Sequence, residues 1–241
     1  MDGISIWCSC SDDNEETAMI LKVLSSGSKG NCYVLTDNNG RRLILDVGIQ
    51  YKKILDGIGY ELLSVDGVCV THEHKDHSLS ANEFIIRGIP IYRPYAYEPN
   101  ARPKAYFGRF HIQCFPLEHD VPCYGFLITH PEMGKLVYIT DTAYCKYRFK
   151  EVNHILVECN YDERILSEDY GAKGHVLHDH MSLETSKRFL EANSGDALRN
   201  VVLCHLSSEN ISEETALDEV NQILPEQTKL YVAKRNLEIE L

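Results

Sequence analysis

The heptapeptide Thr71-His72-Glu73-His74-Lys75-Asp76-His77 places three imidazoles and two carboxylates within seven residues, directly after an apolar stretch typical of a buried strand. Imidazole nitrogens and carboxylate oxygens are ligands that zinc and manganese accept. His72 and His74 alternate along the chain, so both can face one ion, whereas Asp76 and His77 follow a turn and can face a second. The alternative is a solvated polar loop in which histidines cluster by chance.

Three further residues of ligand type lie far along the chain from this heptapeptide. His119, Asp141 and His205 each follow an apolar run that predicts a strand. Taken singly, each is more often a capping or packing residue. Together they share one circumstance, since all are presented at strand ends by loops that a rigid sheet holds. Four ligand segments arranged in this way can build a two-metal site with ions about 3.5–4 Å apart.

Strand and helix signals alternate along most of the chain, without a low-complexity linker. Strands are predicted over 20–24, 32–36, 43–47, 65–71, 110–117, 125–130, 135–140, 155–159, 200–204, 230–232 and 237–239. Helices are predicted over 51–58, 182–192 and 212–224, the last two with Ser182 and Ser212 as N-caps. This pattern favours one α/β domain with two sheets over 19–241, preceded by a flexible or loosely docked extension over 1–18.

The amino-acid composition limits which binding partners and which cellular compartment are expected for this protein. The 24 Lys and Arg residues against 36 Asp and Glu give a net charge of −12, which argues against passive binding to a phosphate backbone, although bound metal ions add positive charge locally. Nine scattered cysteines without a CxxC pair suit the reducing cytoplasm. The N-terminus lacks the features of a secretory signal and the chain lacks a long apolar run, so we expect a cytoplasmic protein that does not span a membrane.

In chain order, the ligand-type residues resemble the signature of the metallo-β-lactamase fold superfamily over nearly the whole chain after residue 18. Within it the chain is most similar to the YycJ/WalJ-like branch, which is related to exonucleases and other phosphodiesterases. Besides the heptapeptide, the stretches that carry this likeness are Ser25-Ser26-Gly27-Ser28-Lys29-Gly30-Asn31-Cys32, Glu158-Cys159-Asn160-Tyr161-Asp162, His180-Met181-Ser182 and His205-Leu206-Ser207-Ser208-Glu209-Asn210. Two places depart from the branch, which usually has His at Tyr161 and Gly-His-Leu-Ser-Asn at Asp179-His180-Met181-Ser182-Leu183.

The resemblance implies a four-layer αββα sandwich, in which two mostly antiparallel mixed sheets carry outer helices and a dinuclear metal site lies at one edge. Two divalent ions, Zn²⁺ or Mn²⁺, are the implied cofactors. The implied ligands are His72, His74 and His119 for the first metal, Asp76, His77 and His205 for the second, and Asp141 as the bridge. Asp46 would orient a ligand histidine by a hydrogen bond. The interval between Asp141 and His205 is too short for the large inserted domain of the RNA-processing β-CASP enzymes.

Two such ions would generate a bridging hydroxide near neutral pH and neutralise charge developing on a phosphorane oxygen. Asp76 would orient that nucleophile. His180 is the candidate proton donor to the leaving alkoxide, because it lies beside a helix N-cap, and the alternative is a surface histidine. Candidate substrate or phosphate contacts are Ser28, Lys29, Asn31, Asn160 and Ser182. The glycine-rich turn that carries the first three can equally be a tight connection between strands.

These features favour a dinuclear-metal-dependent hydrolase, specifically a phosphodiesterase or nuclease that acts on DNA or another nucleic acid through a metal-bridging hydroxide. Interleaved cations and aromatics between Arg87 and Arg109 suit a single strand, or form a solvated tyrosine-rich loop. The rival hypothesis is a hydrolase of a small ester, lactone, thioester or cyclic nucleotide on the same metals. A non-enzymatic binding protein or metal-degenerate decoy has no need of a complete ligand set. The sequence leaves the oligomeric state open.

Overall fold

The computed structural model describes residues 18–98, 101–165 and 179–241. Nearly all of the predicted extension over 1–18 lies outside these residues, so the extension and the single domain over 19–241 stay predictions. No helix in the described ranges is long and apolar enough to cross a membrane. The seven cysteines within them are free thiols, and a cytoplasmic location stays a prediction.

Among the described residues, the first of two β-sheets has six strands. They are β1 (Ile20–Ser25), β2 (Cys32–Thr36), β3 (Arg42–Leu45), β4 (Val65–Cys69), β5 (Ile91–Tyr92) and β13 (Glu238–Glu240). Their order is β13-β1-β2-β3-β4-β5, so the first and last strands of the fold pair antiparallel with each other. The Asp37–Gly40 turn between β2 and β3 ends in Gly40 at a positive φ of 73°, the left-handed conformation that glycine adopts without strain.

The second sheet has seven strands. They are β6 (Lys104–Phe107), β7 (Phe110–Leu117), β8 (Cys123–His130), β9 (Gly134–Ile139), β10 (His154–Glu158), β11 (Asn200–Cys204) and β12 (Lys229–Val232). Their order is β12-β11-β10-β9-β8-β7-β6. All five residues of β10 and of β11 are buried, as expected for strands that are covered on both faces.

Helices cover the outer face of each sheet. They are α1 (Tyr51–Gly57), α2 (Lys75–Ser78), α3 (Ala81–Ile86), α4 (Leu183–Asn193) and α5 (Glu213–Asn221). Ile54 of α1 and Phe84 of α3 pack on the first sheet, whereas Phe189 of α4 and Val220 of α5 pack on the second. The hydroxyls of Ser182 and Ser212 cap α4 and α5, as predicted.

Apolar side chains also fill the space between the two sheets, which explains why the side chains of β1 point alternately to its two faces. Leu21 and Val23 pack inward against Tyr138 and other residues of the second sheet, whereas Leu24 faces the helical side. The predicted αββα sandwich is therefore confirmed. Of the described strand pairs, six are antiparallel and five are parallel, and the sequence patterns missed β5, β6, α2 and α3.

The parallel part of each sheet determines where the functional loops lie. β3 and β4 are parallel, and so are β9, β10 and β11. β7 runs in the same direction as β9, because antiparallel β8 lies between them. The carboxyl ends of these strands therefore lie together at one edge of each sheet, the usual location of ligand sites in α/β sheets.

Gly48, in the loop after β3, allows that loop to lie against the heptapeptide. An added Cβ would come within 1.6 Å of the Asp76 carbonyl oxygen. We expect Gly48→Ala to separate the two loops, to destabilise the fold by about 1–3 kcal/mol as overpacking does, and to reduce metal loading. Thermal denaturation and metal analysis measure both effects.

The matched control is Gly195→Ala, because a Cβ at Gly195 meets nothing within 4 Å. If Gly48→Ala melted and loaded metal as Gly195→Ala does, the close approach of the two loops would not constrain the site.

Candidate metal centre

Two clusters of metal-ligating side chains lie at the edge where β3, β4, β7, β9 and β11 end. The first consists of His72, His74 and His119, and the second of Asp76, His77, Asp141 and His205. Within each cluster, one ligand atom per residue lies within 4.8 Å of the others. The structure thus brings together all seven residues that the sequence predicts as ligands.

In the first cluster, His72 is the most buried residue. Its Nδ1 atom lies 3.0 Å from the Thr71 hydroxyl, which leaves Nε2 without a hydrogen-bond partner among the described residues. His74 is partly exposed, and its Nδ1 atom lies 3.4 Å from Nε2 of His119. Asp120, which the sequence analysis did not select, lies 3.1 Å from the same Nε2 atom.

Asp141 lies between the two clusters. Its Oδ2 atom is 3.0 Å from Nε2 of His77 and 3.6 Å from Nε2 of His72. The carboxylate of Asp76 completes the second cluster, with Oδ2 at 3.5 Å from Nε2 of His77 and 3.9 Å from Nε2 of His205. A carboxylate in the position of Asp141 can contact a cation in either cluster.

Asp46 orients His77. Its Oδ2 atom accepts hydrogen bonds from Nδ1 of His77 at 2.7 Å and from the Tyr138 hydroxyl at 2.6 Å, and its Oδ1 atom accepts one from the Thr71 amide at 2.9 Å. The proton on Nδ1 directs the Nε2 lone pair of His77 into the second cluster. A carboxylate behind a ligand histidine is a usual means of fixing its tautomer.

Glu158 is the functional residue whose role the sequence analysis missed. It is fully buried at the end of β10, and its Oε1 atom lies 2.9 Å from Nδ1 of His205 and 2.7 Å from Nδ1 of His180. Its Oε2 atom accepts from the amides of Thr142 and Met181. One carboxylate therefore orients a ligand histidine and the candidate proton donor together. The sequence signal for this role is that Glu158 follows three apolar residues typical of a buried strand.

The donor atoms fit a divalent cation. Nε2 of His72 and Nε2 of His205 are buried and lack hydrogen-bond partners in the described part of the chain. Burial lowers the pKa of His72 to about 2, so its ring is neutral and its nitrogen lone pair is available. Burial opposes ionisation of Asp141, but His205 and His77 hold the pKa of this carboxyl well below its usual range. The neutral imidazole of His72 beside the ionised carboxylate of Asp141 therefore suits a divalent cation.

Three residues of the site have backbones in the left-handed region. Asp46, Asp141 and His205 have φ angles of 56°, 50° and 53°, each shortly after a strand ends. Asp and His adopt this conformation more readily than β-branched residues do, at a cost of order 1–3 kcal/mol each. The sharp turn directs each side chain across the sheet edge into the centre.

A cleft of about 530 Å³ adjoins the second cluster and is called the metal-side cleft below. The candidate contacts Ser28, Lys29 and Asn160 line it, together with His180. The Asn160 amide also donates to the His205 carbonyl at 2.9 Å, so this residue supports the ligand loop.

Asn31 and Ser182 already have partners within the fold. Asn31 is fully buried, and its amide bonds to both backbone groups of Gly27 and lies 3.0 Å from Nε2 of His77. Ser182 is buried and caps α4. These contacts favour positioning roles for both residues over direct contact with substrate.

Two of the cations between Arg87 and Arg109 have partners of their own. Arg87 pairs with Glu83 and lies over the Tyr51 ring, and Arg109 pairs with Glu132 beside the turn between β8 and β9, at the opposite end of the sheet from the ligands. These contacts account for both cations without a nucleic acid.

Comparison with known proteins identifies the class. The sequence profile described as the Metallo-beta-lactamase superfamily matches residues 26–143, which include every predicted ligand except His205. The four-layer fold and the position of the ligand clusters agree with that match. By this match, its fold and its ligand clusters, the chain is similar to the metallo-β-lactamase superfamily, and the comparisons support a metal-dependent hydrolase.

Over most of its length the chain is similar to two exodeoxyribonucleases. It is 29% identical over 237 residues to exodeoxyribonuclease YycJ of Bacillus anthracis, covering 85% of this chain and 88% of that protein. It is 27% identical over 242 residues to exodeoxyribonuclease WalJ of Streptococcus pneumoniae serotype 2, covering 83% and 87%. The crystal structure of the metallo-beta-lactamase fold protein YhfI from Bacillus subtilis matches with a TM-score of 0.70 at 18% identity, covering 93% of this chain and 100% of that one. The resemblance to the YycJ/WalJ-like branch is confirmed.

Asp46→Asn tests the support of His77. The asparagine amide has the size of the carboxylate. Its oxygen is a weaker acceptor for the hydrogen bonds that Nδ1 of His77 and the hydroxyl of Tyr138 donate. We expect metal affinity to fall about 10–100-fold, as for other residues that orient metal ligands, while the fold is retained. Chelator competition measures the affinity and circular dichroism the fold.

Asp66→Asn is the matched control, because Asp66 pairs with Arg41 at the amino end of β4, away from the site. Equal metal affinity in the two variants would show that Asp46 does not support the centre.

Proposed function

We propose that the protein is a phosphodiesterase that cleaves DNA, most simply as an exonuclease, with two divalent ions held by the two ligand clusters. The observation that carries this proposal is the position of Asp141 between both clusters, beside the open and polar metal-side cleft. Two exodeoxyribonucleases that share 27–29% of their residues with this chain support it.

The bound ions, Zn²⁺ or Mn²⁺ by the type of ligand, would activate water and neutralise charge on the phosphate. One ion would be held by His72, His74 and His119. The other would be held by Asp76, His77 and His205, and Asp141 would contact both ions. Asp76 also lies at the partly exposed side of its cluster, where it can accept a hydrogen bond from the nucleophile. Ser28 and Lys29 offer a hydroxyl and a cation to the phosphate from the rim of the cleft.

His180 serves as the proton donor to the leaving alkoxide in this proposal. Its Nδ1 atom donates to Glu158, and its ring stacks on His205 with 5.1 Å between centroids. This arrangement leaves Nε2 as the nitrogen that can donate. The side chain is 20% exposed in the metal-side cleft, so a substrate can reach it.

Metal analysis and two substitutions test the centre. We expect about two divalent ions per chain, and we expect His74→Ala and Asp141→Ala to abolish hydrolysis without unfolding the protein. Plasma emission spectrometry, turnover and circular dichroism are the measurements. A purified chain that takes up neither zinc nor manganese, or a variant that keeps wild-type turnover, would contradict the assignment.

A substrate panel tests the choice of phosphodiester. The panel consists of bis-p-nitrophenyl phosphate, 5′-phosphorylated single-stranded and duplex DNA, RNA, a lactone and a thioester. We expect metal-dependent cleavage of DNA and of the aryl phosphodiester. Activity confined to the lactone or thioester would favour the rival small-ester hydrolase and end the nuclease proposal.

The pH dependence of His180→Gln tests the proton donor. Burial lowers the pKa of His180, but the hydrogen bond and charge of Glu158 outweigh it and raise the pKa to about 9. The ring is thus protonated at neutral pH and loses its proton as pH rises through about 9, so wild-type kcat should fall there. His180→Gln should lower kcat about 100-fold or more at pH 7 and remove this alkaline decline.

His111→Gln is the control, since His111 is an exposed histidine of β7. An unchanged alkaline decline in His180→Gln would assign the proton transfer to another group.

A further inference from the structure

A second groove opens beside the metal-side cleft, and four cations line it. Lys22 comes from β1, Lys29 from the glycine-rich turn, Lys53 from α1, and Arg235 from the loop between β12 and β13. The groove has a volume of about 290 Å³, and Asp56 is the one acidic residue in its described lining. These four cations define what is called the basic groove.

Three of the four cations lack an acidic partner. Lys22 pairs with Glu238 at 2.8 Å, but Lys29, Lys53 and Arg235 form no ion pair with any described residue. Like charges collected in one groove repel one another, and the repulsion is relieved when an anion binds between them. Such a concentration is notable in a chain with a net charge of −12, where acidic partners are plentiful.

The basic groove and the metal-side cleft both border Lys29, so they are neighbours on the surface. The turn that carries Lys29 is held firmly. Gly30 has a φ of 129°, and an added Cβ would come within 2.3 Å of the Gly48 carbonyl oxygen. A ligand that extends from the metal centre past Lys29 therefore enters the basic groove directly.

We propose that the basic groove binds the sugar-phosphate backbone of a single DNA strand whose reacting phosphodiester lies in the metal-side cleft. This proposal rests on the proposed nuclease function and extends it, because the substrate is then a polymer held on both sides of Lys29. A small ester or cyclic nucleotide would occupy the cleft alone. Two clefts of about 290 and 530 Å³ that border the same residue suit one flexible strand.

The test compares two double variants with the same change in net charge. Lys53→Glu with Arg235→Glu reverses two cations of the basic groove. Lys52→Glu with Lys229→Glu reverses two exposed lysines outside both clefts and is the control. The ligand is a fluorescein-labelled 20-nucleotide phosphorothioate oligo(dT), which resists cleavage, so the metal-loaded enzyme is used throughout. Fluorescence anisotropy over a range of salt concentrations gives affinity and salt dependence.

We expect the groove variant to bind the oligonucleotide at least about tenfold more weakly than the control variant at 0.1 M salt. The slope of log K against log salt should fall by about 1.4, which corresponds to two phosphate contacts on a single strand. Turnover of bis-p-nitrophenyl phosphate should stay within twofold of wild type in both variants.

If both variants lost the same affinity for the oligonucleotide, the loss would be explained by net charge alone, and the proposal would be overturned. If the wild type cleaves DNA while the groove variant binds like the control, the basic groove is excluded and the nuclease function stands. If the wild type cleaves no nucleic acid at all, the proposed function fails first, and the groove proposal with it.

Discussion

The fully buried carboxylate of Asp46 is the constraint on which the site depends. It accepts from Thr71 and His77 of the heptapeptide and from Tyr138 of the opposite sheet, so one side chain connects both sheets to the ligand loop. A buried donor that loses its acceptor costs about 1–3 kcal/mol. Any movement of the heptapeptide away from β3 would leave several donors without acceptors at once, and the ligand geometry is therefore rigid before a cation arrives.

The same centre concentrates buried negative charge. Asp46, Asp141 and Glu158 are each at most 2% exposed, and in this structure the charges that face them belong to histidines such as His77 and His205. Buried acids of this kind are costly unless cations compensate them. Divalent ions held by the two ligand clusters would supply that compensation and would couple metal affinity to folding stability.

The sequence predicted those parts of the site that depend on residue type and local spacing. His119, Asp141 and His205 could be selected because each follows an apolar strand, and the family resemblance supplied the layers of the fold. The partnership of Asp46 with Tyr138 could not be predicted, because it joins residues of two different sheets. Glu158 is one of 36 acidic residues, and only the folded chain shows the two histidines that it orients. Helices α2 and α3 are too short to show a helical period.

The pairing of β1 with β13 has a consequence for the solubility of the fold. The two strands are far apart in sequence, yet β13 covers the backbone hydrogen-bonding edge of β1 in the first sheet. A strand edge that is left uncovered is a template for pairing with another chain. The closure of β1 by β13 therefore opposes edge-to-edge aggregation.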